Sequence, residues 1–152
     1  MRLFYGFMSL VSMLLIFLFS SQTGEASALT SHSFFQSALG RFLMSFLPLL
    51  GFESPEAAIR KYAHMAEFAF LGFWVMLWMN KRWEGSKSPS AVYLQCLLFC
   101  IMYACTDELH QLFVDQRACS LKDVLIDSFG SLVSCSVLYA LFVLRERRRK
   151  NA

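Results

Sequence analysis

Four stretches of the chain, 3–20, 63–79, 91–111 and 124–144, gather most of its apolar residues into runs of membrane-spanning length. A bilayer core about 30 Å thick takes roughly 17–25 such residues per helix, and runs this dense leave no polar face with which a soluble helix or strand would meet water. Composition agrees. Of 152 residues, 57% are hydrophobic and 16% charged, where a soluble domain is about a quarter charged. The expectation is one all-α domain over 1–152: an integral membrane bundle of four transmembrane helices, an interfacial amphipathic helix in the first outer loop, and a basic tail at 145–152.

Orientation follows from charge. With the N-terminus inside and four crossings, nine Lys and Arg residues fall on the inner side, five of them in the tail Arg145–Lys150, and five on the outer. The positive-inside rule therefore predicts both termini in the cytoplasm. The tail reads as an anchor facing anionic lipid, not as a nucleic-acid site. Arg2 and the apolar run after it also resemble a secretory signal, with Ala26-Ser27-Ala28 as a cleavage pattern. The run is long for a signal core of about 7–15 residues, so a retained helix is expected.

In the first outer loop, Phe35, Leu39, Phe42, Leu43, Phe46, Leu47 and Leu50 recur at helical spacing until Pro48 and Gly51 break the pattern. This predicts an amphipathic helix near 34–47, either a plain cover or a functional lid. The five cysteines lack metal-ligand spacing and read as small core residues; a Cys105–Cys119 disulfide is the one pairing weighed.

In this topology the polar residues collect at the outer helix ends. The first span ends in Ser20-Ser21-Gln22, and the second opens with Arg60-Lys61-x-x-His64-x-x-Glu67. The third ends in Asp107-Glu108-x-His110-Gln111, and Arg117 follows it. The fourth opens with Asp123-x-x-x-Asp127-x-x-Gly130. Lys61, His64 and Glu67 advance by three and share one helix face. Gly130, Ser131 and Ser134 allow another helix to come close. Ionisable residues within spans are functional candidates by default. Glu67, Asp107, Glu108 and Asp127 are therefore the catalytic candidates, and Ser21, Gln22, Lys61, His64, Gln111, Arg117 and Asp123 the binding candidates. Glu67, Asp107, Glu108, Gln111, Arg117 and Asp127 are expected to form one network, with His64 and Lys61 at its edge and Arg117 holding two carboxylates in its fork.

Clustered carboxylates beside a histidine suit general acid–base work on a polar headgroup. Asp107, Glu108 and Asp127 with His64 or His110 would also suit a divalent cation. No HExxH-type spacing is present, so no metal ligand is assigned, and no cofactor is indicated. The opposing reading is that these ion pairs only lock a small bundle together.

The same residues carry a resemblance. Ser20-Ser21-Gln22, Arg60-Lys61-x-x-His64-x-x-Glu67-x-x-x-Leu71-Gly72, Asp107-Glu108-x-x-Gln111-x-x-Val114-x-x-Arg117 and Asp123-Val-x-x-Asp127-x-x-Gly130, in this order, resemble the VanZ-like family of bacterial membrane proteins. The resemblance implies a small helical protein of the cell envelope and a link to resistance against the glycopeptide teicoplanin; it supplies no reaction. One departure stands out. Such families read Pro-Gly-Arg where this chain has Asp115-Gln116-Arg117.

Two functions are thus carried forward. In the first, an outward polar pocket binds or modifies an envelope lipid or a lipid-linked wall precursor in the cytoplasmic membrane. In the second, a non-catalytic membrane protein alters envelope access or assists a partner. Membrane lipid is a partner in both and nucleic acid in neither.

Overall fold

The computed structural model describes residues 1–46 and 54–151. Their regular structure is helical: α1 (Arg2–Ser20), α2 (Gly24–Gln36), α3 (Ala38–Phe46), α4 (Pro55–Arg82), α5 (Pro89–Gln111) and α6 (Leu121–Asn151). Three of them, α1, α5 and α6, are long and apolar enough to cross a membrane. Only 22%, 22% and 33% of their apolar windows are buried within the protein, so most of that surface points outward. Leu10 and Leu14 of α1, Leu98 and Met102 of α5, and Val133 and Val137 of α6 lie on this exterior, which acyl chains solvate and water does not.

The fourth long helix, α4, has 28 residues and is less apolar because its first half carries Glu56, Arg60, Lys61, His64 and Glu67. It packs against α1, α2, α5 and above all α6. Phe68, Leu71, Val75 and Met76 form its buried stripe, and they meet Val92, Cys96, Cys100 and Ala104 of α5 and Cys135 and Leu138 of α6. The thiols of Cys96 and Cys135 sit 3.2 Å apart, each near the Gly72 carbonyl, and they act as small, polarisable packing groups. Cys105 and Cys119 are exposed and unbonded.

Two glycines fix how closely α4 and α6 approach. A Cβ on Gly130 would stand 2.1 Å from the Met65 carbonyl oxygen, and one on Gly72 would stand 2.7 Å from Ser134 Oγ. Ser131 uses the same proximity to donate its hydroxyl to the Phe68 carbonyl at 3.0 Å. The small residues thus set α6 against the turn of α4 that carries His64 and Glu67.

Helix starts follow local chemistry. Ser54 and Ser88 each accept a hydrogen bond from the N–H three residues on and are followed by Pro55 and Pro89, whose rings suit the first helical turn. Consequently α4 begins eight residues before its apolar stretch. At the other end of α4, Trp83 has Arg82 and Lys87 over its ring at 4.7 and 3.9 Å.

The first connection differs in detail from the single helix expected near 34–47. Thr23 caps α2, accepting from the Ala26 N–H at 3.3 Å. Ser37 is extended, with ψ 156°, and its hydroxyl oxygen accepts from the Gly40 N–H at 2.9 Å to start α3. The hydrophobic spacing ran through this break because Phe35 and Leu39 flank it. Leu47, Pro48, Leu50 and Gly51 lie outside the described residues.

Candidate functional site

The C-terminal ends of α1 and α5 and the N-terminal ends of α4 and α6 meet at one end of the bundle. Asp107, 3% exposed, anchors this end. Its Oδ2 accepts from Ser20 Oγ at 2.7 Å and from Gln111 Nε2 at 3.0 Å, joining α1 to α5. Asp107 and Gln111 lie one turn apart on α5, so both reach the same point. Glu108, equally buried, accepts from the Ser120 backbone N–H at 2.8 Å just before α6. Lys61 of α4 forms an ion pair with Asp123 of α6. His64 Nδ1 stands 3.6 Å from Glu67 Oε2, close enough to attract but beyond hydrogen-bond reach.

Asp127 is 2% exposed. One ligating atom each from His64, Asp107 and Asp127 lies within 4.8 Å of the others, so α4, α5 and α6 all contribute to one point. Arg117 takes a different role from the one expected. Its Nε donates to the Gln22 carbonyl at 3.2 Å, and it forms no ion pair among the described residues. Burial, reinforced by the neighbouring Arg60, pulls the Arg117 guanidinium below its usual range, while Asp107, Glu108 and Asp123 act in the opposite sense. It sits near the carboxylates without clasping any of them.

Arg117 belongs instead to a clasp between the α5–α6 loop and the start of α2. Gly24 N–H donates to the Asp115 carbonyl at 3.0 Å, and Glu25 N–H to Gln116 Oε1 at 3.1 Å. Gln116 has φ 60°, in the left-handed region that favours glycine. The chain therefore keeps the backbone of a glycine turn at the position where the resembling family reads Gly. Gly24 is required opposite it, since a Cβ there would stand 2.4 Å from the Gln116 carbonyl oxygen.

Beside the cluster, a cavity of about 540 Å³ lies between α2 and α4. Phe19, Phe34, Ile59 and Met65 are among its apolar walls, and Arg60, His64 and Glu67 also line it. Arg60 Nε, His64 Nδ1 and Glu67 Oε2 are buried and have no hydrogen-bond partner among the described residues. Such orphaned groups are costly unless something else answers them.

The candidates are therefore divided. Asp107, Glu108, Gln111, Asp127, Asp123, Lys61, His64 and Glu67 come together, and Gln22 lines the cavity. Ser21 is exposed, its hydroxyl held by the Phe17 carbonyl and 3.1 Å from His110 Nε2. Its neighbour Ser20, fully buried on Asp107, is the serine at the site and was not singled out. Position could have shown this: Ser9, Ser12, Ile16 and Ser20 form the buried face of α1 at intervals of three and four, and Ser21 falls off it. Arg60, part of the motif that opens the second span but not among the candidates, lines the cavity as well.

No curated protein and no solved structure matches the chain. The family model described as VanZ/LLP1 matches residues 5–143, which contain the whole polar cluster and the cavity, and the chain belongs to that family.

Proposed function

We propose that this is a four-span protein of the bacterial cytoplasmic membrane, both termini cytoplasmic, whose outward-facing pocket binds or modifies an envelope lipid or a lipid-linked wall precursor. In this reading α4 is the fourth crossing, and α2 with α3 lies in the interface. The observation that carries it is the cavity: apolar walls suited to a chain, lined also by Arg60, His64 and Glu67, each with a buried polar atom that has no hydrogen-bond partner among the described residues. Arg60 would hold an anionic headgroup through its planar donors. Glu67 would move a proton on it. A role in teicoplanin resistance would follow if the ligand is a wall precursor.

The test is incubation of the purified protein with envelope lipids, with mass spectrometry reading both retained lipid and product. Retained lipid that is lost in Glu67→Gln supports the site, and product adds catalysis. Equal retention by both proteins contradicts it. A second reading has its own support: the Ser20–Asp107–Gln111, Ser120–Glu108 and Lys61–Asp123 contacts tie four helix ends together. A non-catalytic protein that alters envelope access or assists a partner would need no more than this.

A further inference from the structure

Of the three acids that are buried as whole residues, Asp107, Glu108 and Asp127, the last is the one left unanswered among the described residues. Asp107 is held by Ser20 and Gln111, and Glu108 by the Ser120 N–H. Asp127, 2% exposed, makes no hydrogen bond or ion pair among the described residues. Lys61, a cation within its electrostatic reach, is engaged by Asp123. A carboxylate so placed is among the costliest groups a protein can bury. His64 Nδ1, also buried, lacks a hydrogen-bond partner among the described residues too.

We infer that His64, Asp107 and Asp127 form a binding site for a divalent transition-metal ion of the Mn²⁺ to Zn²⁺ class. Their ligating atoms lie within 4.8 Å of one another. Metal bonds of about 2.0–2.2 Å would draw them somewhat closer, which side-chain rotation accomplishes. One imidazole and two carboxylates match this class: Mg²⁺ and Ca²⁺ favour all-oxygen sets, and Cu(I) favours sulfur.

The surroundings are those of a metal site. Asp107 Oδ2 is oriented by Ser20 and Gln111, which leaves Oδ1 for the ion. Glu67 Oε2 stands 3.6 Å from His64 Nδ1, beyond hydrogen-bond reach, so no group among the described residues competes with the ion for that nitrogen. Three protein ligands leave a coordination position open, and His64 lies on the cavity wall.

The experiment uses the full chain in detergent, stripped with chelator and then dialysed against Zn²⁺ or Mn²⁺ alone, with no lipid added. The wild type is expected to retain one equivalent. Asp127→Asn and His64→Gln, at wild-type helix content by circular dichroism, are expected to bind about tenfold more weakly or worse. Should either variant misfold, pulsed EPR of Mn²⁺ on the wild type decides: a coupling to imidazole nitrogen supports the site. No retained metal, equal retention by the folded variants, or bound Mn²⁺ without that coupling overturns it. Lipid retention by the metal-stripped protein is scored separately, so either reading can fail alone.

Discussion

Replacing Gly130 with alanine tests how the site is positioned. The added Cβ would lie 2.1 Å from the Met65 carbonyl oxygen, 3.0 Å from its carbon and 3.2 Å from Ala69 N. All three are backbone atoms inside α4, so no side chain can turn aside, and α6 must move away by about an ångström. Overpacking of this kind costs about 1–3 kcal/mol, and the rigidity of the obstacle argues for the upper end. Alanine's better helix propensity returns about 1 kcal/mol, leaving a net loss of about 2 kcal/mol. Separating the helices also breaks the Ser131–Phe68 bond and draws Asp127 away from His64 and Asp107. Reversible unfolding in mixed micelles, followed by circular dichroism, measures the loss. Gly6→Ala is the comparison, since its Cβ would meet only the Trp78 side chain at 3.0 Å, and it should cost clearly less. A Gly130→Ala protein as stable as the wild type would refute the close approach of α4 and α6.

Ser20→Ala removes a buried donor from Asp107 and should destabilise by about 1.5–3 kcal/mol; Ser21→Ala, at an exposed position, should stay within about 0.5 kcal/mol, and the same unfolding assay compares them. Gln116→Gly relieves a left-handed backbone, which costs a non-glycine residue about 1–2 kcal/mol, but gives up the side-chain bond to the Glu25 N–H worth about 1 kcal/mol. The stability change should be near zero, whereas Gln116→Val, which loses that bond and strains the same turn, should be clearly destabilising.

The long helices were legible because apolar runs and polar punctuation coincide. Residues 3–20 and 91–111 agree with α1 and α5 to within two residues at each end. The start of α4 was not legible from hydropathy, because Glu56, Arg60 and Lys61 occupy its first turns; the Ser54-Pro55 pair was the signal, as Ser88-Pro89 was for α5. The convergence of four helix ends could be read from the topology. Partner choice could not. Sequence shows that Arg117 and the carboxylates are neighbours, but only the path of the 112–120 loop decides that Arg117 turns to the Gln22 carbonyl. The cavity was equally hidden, since α2 has little apolar periodicity: its buried side is made by Ser27 and Ser31.

The most direct test of the central claim compares Asp107→Asn and Glu108→Gln with Asp115→Asn, an exposed loop acid, for retention or turnover of envelope lipid per molecule in the membrane. The account predicts that the first two reach wild-type abundance and lose the activity, while Asp115→Asn keeps both. Lowered abundance of Asp107→Asn and Glu108→Gln, with the surviving molecules fully active, would show that the cluster only holds the helices together.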